Sequence, residues 1–242
     1  MTNASAQPSP GSGPRSILGP IPRENLSERA YRALRSALML SHLKPGEKLQ
    51  LRPLAAQLGI SATPVREALL RLVSEQALLM DERGTVVVPS ISRDRFLEIR
   101  HLRCQLEGEA ALAAARRATP ADIASLAAIH ATLMQAEKAG DFTKAVQANE
   151  HFHFTICRLA GMPVLLGLVE SLWMQCGPLL SRLYEMAPLY SGHLDALEAL
   201  RRGDAEGVRA AMIRDIDEGS QLLLALLEGD APVSASSGQH LP

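Results

Sequence analysis

Three groups of side chains in this sequence have types and spacings suited to chemistry. Ser61, Thr63 and Arg66 fall where a helix begins, just behind Gly59. A helix N-terminus offers free N–H groups and a positive dipole end to phosphate, and hydroxyls there add donors. An arginine one turn in can bond the O6/N7 edge of guanine with two hydrogens, which a single-point donor cannot imitate. Arg103 precedes Glu107 by one helical turn, the spacing of an ion pair on a helix surface. Asn149 and His153 are also one turn apart and project from one helix face. Taken singly, each group has a plain structural reading: solvated helix charges, an internal ion pair, and polar residues bonded to each other or to water.

The elements that must position these groups follow from periodicity and caps. Between residues 26 and 40, Leu26, Ala30, Ala33, Leu34, Ala37 and Leu38 mark one helix face, with Asn25 as cap and Glu28 three residues on. Pro45-Gly46 breaks the chain, and a short helix over 52–58 stops at Gly59. A third helix starts near Ser61, accepts Pro64 in its first turn and runs to about Gln76, burying Val65, Leu69, Leu72 and Val73. Residues 78–80 and 86–88 read as two short strands joined through Asp81-Glu82-Arg83-Gly84, a small hairpin. Three helices and a hairpin give the layout of a winged helix-turn-helix.

Beyond Ser92 no strand pattern occurs. Helices are expected over 93–118, from Thr119-Pro120 to Gly140, from Asp141 to Ala160, over 164–186 and 189–202, and from Gly203-Asp204 towards Leu227. Short connections between them make an antiparallel bundle. The fold class is therefore mostly α: a winged helix over 21–90 and an all-helical domain over 91–228. Residues 1–20 and 229–242, rich in Ser, Pro and Gly, are expected to be disordered.

Composition narrows the function classes. Hydrophobic residues are 47% and aromatic ones 3%, a balance suited to helical packing. Three widely spaced cysteines suggest neither a disulfide framework nor a CxxC metal knuckle. Runs such as 222–227 are too short to span a bilayer, and the N-terminal stretch has no apolar signal core, so a cytoplasmic protein is expected. Residues 1–90 hold 11 Lys and Arg against 7 Asp and Glu, whereas the remainder holds 14 against 19. A basic part on an acidic remainder fits a chain that meets a polyanion with one end.

Several segments carry a resemblance: Pro45-Gly46-Glu47-Lys48-Leu49, Leu54-Ala55-Ala56-Gln57-Leu58-Gly59-Ile60-Ser61, Thr63-Pro64-Val65-Arg66-Glu67-Ala68-Leu69, and Arg83-Gly84. Together they resemble the DNA-binding domain of the GntR family of transcription regulators. The resemblance implies that the third helix enters the major groove of double-stranded DNA, with Arg66 and Arg52 in contact. It implies further that Ser61 and Thr63 touch backbone or bases, and that Arg83 and Gly84 form the tip of the wing. Where the family commonly has arginine between the two hydroxyl residues, this chain has Ala62, which implies an altered operator preference.

The second domain resembles the ligand-sensing FCD domain of the FadR subfamily. The matching residues are Arg103 with Leu106-Glu107, Asn149 with Phe152-His153, His193 before Ala196-Leu197, and Gly203-Asp204 with Met212. Members of that subfamily hold a divalent metal, and the resemblance implies Asn149, His153, His193 and Asp215 as its ligands. Asp215 stands where the family has histidine, and an N/O set suits zinc, nickel or manganese. Arg103, Asn149, His153 and His193 are the implied contacts of a small carboxylate effector. The resemblance also implies a homodimer on a palindromic operator, with no membrane involved. The competing reading, a metal-dependent enzyme on a helical bundle, lacks an evident nucleophile or general base and leaves the N-terminal motif without a use.

Overall fold

The computed structural model describes residues 26–186 and 192–227. The Asn25 cap and the disorder expected over 1–20 and 229–242 lie outside the described residues. The first domain comprises α1 (Leu26–Met39), β1 (Lys48–Leu49), α2 (Leu51–Leu58), α3 (Ala62–Ser74), β2 (Leu79–Met80) and β3 (Val86–Val87). Val65, Leu69 and Leu72 on α3 are buried with Leu34 and Leu38 on α1, as the 3.6-residue spacing predicts, while Val73 is only half-buried. Gly59 ends α2 at φ 65°, a left-handed conformation that glycine adopts without strain.

The hairpin is one strand larger than expected. The antiparallel sheet has the order β1-β3-β2, with Lys48 opposite Val87 and Val87 opposite Leu79. A two-residue strand such as Lys48-Leu49 is too short to show alternation in sequence. At the wing tip, the Asp81 carboxylate accepts the N–H groups of Arg83 and Thr85, and Gly84 turns the chain at φ 76°.

The second domain holds, among the described residues, α4 (Arg93–Ala115), α5 (Pro120–Ala139), α6 (Phe142–Leu159), α7 (Pro163–Met186), α8 (His193–Arg202) and α9 (Ala205–Leu227). The expected first helix stops three residues early. Thr119 and Asp122 form a reciprocal capping box with Pro120 just inside, and Asp141 caps α6 through the Lys144 N–H. Helix α4 packs along α9, α5 on α6, and α8 on α9, with α7 crossing α4 and α6. The segment Pro163–Leu180 has a mean hydropathy of 1.3 and is long enough to cross a membrane, contrary to the expectation that no run was. Its apolar character has a local cause: α7 is the bundle's central helix, with Val169, Trp173, Met174 and Cys176 in the core.

Helix α7 also joins the two domains. It packs on α1, where Arg35 pairs with Glu170 at 2.7 Å and the Ser41 hydroxyl donates to the Gly177 carbonyl. Arg95 donates to Gln175 at 2.7 Å and to Gln76 at 3.3 Å. A Cβ on Gly177 would lie 2.5 Å from the Leu38 carbonyl oxygen and 2.8 Å from the Met39 Cα, so only glycine permits this approach. In a free helix Gly→Ala gains about 1 kcal/mol. Here the intruding methyl meets backbone that cannot rotate away, and overpacking costs about 1–3 kcal/mol. Gly177→Ala is therefore expected to lower the melting temperature. An unchanged or raised value in calorimetry would show that the helices part without cost.

Candidate functional site

Three of the sequence-predicted DNA contacts, Arg52, Arg66 and Gly84, come together in one groove, and the others are exposed. Ser61 caps α3 at ψ 162° without using its side chain for the cap, and Ser61, Thr63 and Arg66 are all exposed at the start of that helix. Val65 and Ala68 turn into the domain core, and Arg66 is exposed beside Leu69 and Leu70. Arg52, exposed in the first turn of α2, Arg66 and Gly84 line one groove of about 680 Å³, which Leu70, Met80 and Thr85 complete. Arg83 is exposed beside Gly84 on the wing. Two guanidinium groups and an uncrowded glycine turn thus share one groove, as an interface with a phosphate-flanked groove requires.

The second centre lies inside the bundle. The ligand atoms of His153 (α6), His193 (α8) and Asp215 (α9) fall within 4.8 Å of one another. The Asp215 carboxylate takes the His153 Nε2 at 3.0 Å and the Gly192 N–H at 2.9 Å. His193 Nε2 stands 3.9 Å from the same carboxylate, with its ring stacked on Phe152 at 3.8 Å. Asn149 is half-buried one turn before His153. His151, between them, is exposed.

Behind this cluster stands Glu107, 1% exposed. Its carboxylate accepts from Arg103 Nε at 2.6 Å, from Trp173 Nε1 at 3.0 Å and from His153 Nδ1 at 2.6 Å. The Arg103 guanidinium lies over the Trp173 ring, 4.2 Å from its centroid. Sequence reasoning saw Glu107 only as the pair of Arg103; its link to His153 joins residues 46 apart, which no local spacing shows. The one signal available was an acidic residue inside an otherwise alanine-rich inward face of α4.

The electrostatics follow from burial and neighbours. Burial alone would push the Glu107 carboxyl up, but Arg103 first, and then His153, hold it down at about 2. Burial likewise disfavours protonated His153, yet the Glu107 charge and the Asp215 hydrogen bond raise it to about 9. His193 is driven down to about 3 by burial, against the pull of Asp215, and is neutral near pH 7. Burial would raise Asp215 and a charged His193 would lower it, but with His193 neutral it is the His153 cation and the Gly192 N–H that hold the carboxylate below its usual range. With His193 neutral, His153 is the cation that serves Asp215. The result is a buried alternating chain, Arg103⁺–Glu107⁻–His153⁺–Asp215⁻.

This donor set fits a divalent metal. Glu107 fixes His153 Nδ1 as the protonated nitrogen, so Nε2 is the one turned towards Asp215 and His193, the carboxylate–histidine arrangement found behind metal-ligating imidazoles. Two nitrogens and a carboxylate from three helices make a borderline N/O set, as zinc or nickel prefers.

Comparison with known proteins agrees with both halves. Residues 26–88 match the model of bacterial regulatory proteins of the gntR family, and residues 98–218 match the FCD domain. The HTH-type transcriptional regulator McbR of Escherichia coli K12 is 34% identical over 212 residues, covering 85% of this chain and 96% of that protein. A putative L-lactate dehydrogenase operon regulatory protein of the same organism is 31% identical, covering 80% and 84%. The solved structure of E. coli McbR/YncC superposes with a TM-score of 0.77 over 87% of this chain and all of that one. A GntR regulator from Rhodococcus sp. RHA1 shares the fold at a TM-score of 0.68 and 21% identity, covering 82% and 97%. These relatives are regulators and not enzymes, which removes the metalloenzyme reading. The chain belongs to the GntR family of bacterial transcription regulators, a DNA-binding winged helix followed by an FCD domain.

Proposed function

We propose that the protein is a cytoplasmic repressor of the FadR type that binds a palindromic operator as a homodimer and is controlled by a small carboxylate and a divalent metal in its FCD bundle. The observation that carries this reading is the pairing of an exposed, arginine-lined groove with a sealed ligand-type centre in one chain. Arg66 reads a base edge, Arg52 and the hydroxyls of Ser61 and Thr63 fix the register on phosphates, and Arg83-Gly84 carries the wing along the duplex. One winged helix buries too little surface for useful specificity, so two copies are needed.

In the bundle, His153, His193 and Asp215 hold zinc, nickel or manganese, with Asn149 as the additional α6 donor that the sequence suggests. A metal held there would supply positive charge for a carboxylate ligand. Arg103, anchored through Nε to Glu107, is a fixed positive charge beside the centre for the same acid. His153 would offer Nε2 to the metal as a neutral imidazole, its Nε2 proton passing to solvent, and would keep the Nδ1 hydrogen bond to Glu107.

Selection of bound duplexes from a random library tests the DNA half; the expected product is a palindrome with two short half-sites. Recovery of a single asymmetric site bound by a monomer would refute dimeric operator binding. For the bundle, protein loaded with zinc, nickel or manganese and then desalted is expected to retain one ion per subunit and to melt at a higher temperature. Loss of all metal on desalting would remove the metal from this reading and leave the DNA half intact.

A further inference from the structure

A third imidazole stands beside the centre. His130 is on the inward face of α5, 6% exposed, and its Nδ1 has no hydrogen-bond partner among the described residues. A buried polar group left unsatisfied is destabilising, and such a group asks for an explanation. The His130 ring meets the His193 ring edge-on, with centroids 5.7 Å apart at 74°. His153 stands in nearly the same relation to that ring, at 5.4 Å and 68°. Phe152 stacks on His193 and fixes its plane, so two imidazoles flank one immobile third. Asn149, by contrast, is only half-buried and offers a weaker amide donor.

We infer that His130 is a donor to the metal of this centre, which makes the set three imidazoles and one carboxylate: His130, His153, His193 and Asp215. The inference rests on the metal reading given above and changes its content. It supplies from α5 the imidazole that position 215 lacks, and it brings a fourth helix to the metal. A set richer in nitrogen favours zinc and nickel over manganese.

The test uses the full chain, stripped of metal and titrated with cobalt(II), read by visible absorption and by competition with a chelator of known affinity. His130→Leu replaces an unsatisfied nitrogen with an apolar group of similar size, so the metal-free variant is expected to melt at or above the parent. Its cobalt affinity should nevertheless fall at least ~10-fold, with a weaker absorption band and a smaller metal-induced rise in melting temperature. His130→Gln, which keeps a polar group, should show the same loss of affinity, and Asn149→Ala should stay within a few-fold of the parent. If both His130 variants keep the parent's affinity and spectrum, or if only Asn149→Ala loses metal, the inference is overturned and the metal reading stands. A parent chain that binds no cobalt overturns both.

Discussion

Arg66→Ala is expected to abolish sequence-specific DNA binding while leaving the protein folded. The side chain is exposed on the surface of α3, where it lines a groove with Leu69 and Leu70, so its removal creates no internal cavity. A bidentate arginine–guanine contact contributes about 1–3 kcal/mol of discrimination. Two half-sites double that, which corresponds to a loss on the order of 30-fold to 10,000-fold in affinity for the selected operator. Arg66→Lys separates the two components of the effect. The lysine keeps the charge and the salt-dependent attraction to phosphate but has no fork, so it should bind operator and scrambled duplex almost alike. Fluorescence anisotropy on both duplexes at fixed salt measures this, and parental affinity in the alanine variant would place another element in the groove.

The largest effect on stability is expected from Glu107→Ala. Three donors converge on this carboxylate, and two of them, Arg103 and His153, carry charge in a buried site. Removing one partner of a buried ion pair costs about 3–5 kcal/mol, because the charge left behind can neither reach water nor find another partner. For a chain of this size each kcal/mol moves the melting temperature by about 2–4 °C, so a fall of roughly 6–20 °C is expected in metal-free protein. The double variant Arg103→Met, Glu107→Ala should recover part of it, since the stranded guanidinium is then gone. A fall of only a degree or two in the single variant would mean that water reaches Arg103 and that the pair is not sealed.

The groups legible in the sequence were those whose partners are local or whose burial follows from period. The outward direction of Arg66 follows from the apolar spacing on α3, and the capping box at Thr119 and the glycine stop at Gly59 are read from neighbouring residues alone. What stayed hidden depends on contacts between distant segments. Lys48-Leu49 becomes a strand only because Val86-Val87 lies beside it. Trp173 and His153 reach Glu107 from helices 66 and 46 residues away, and no periodicity announces that meeting. His130 looked like any polar residue on α5 until the position of His193 was known.

The contact of Gly177 with Leu38 and Met39 gives α7 a place in the thermodynamics of regulation. Trp173, which donates to Glu107, lies one helical turn before Gly177, so the buried charges and the first helix of the DNA-binding domain grip the same short stretch of one helix. Any free energy by which an occupant of the bundle favours one seating of α1 over another is a coupling term, and coupling terms are reciprocal. Operator DNA must then change the affinity of the bundle for its occupant by the same factor that the occupant changes affinity for the operator. The set-point of such a sensor differs between molecules on and off the chromosome, and a promoter with many sites would itself shift the concentration at which the sensor responds.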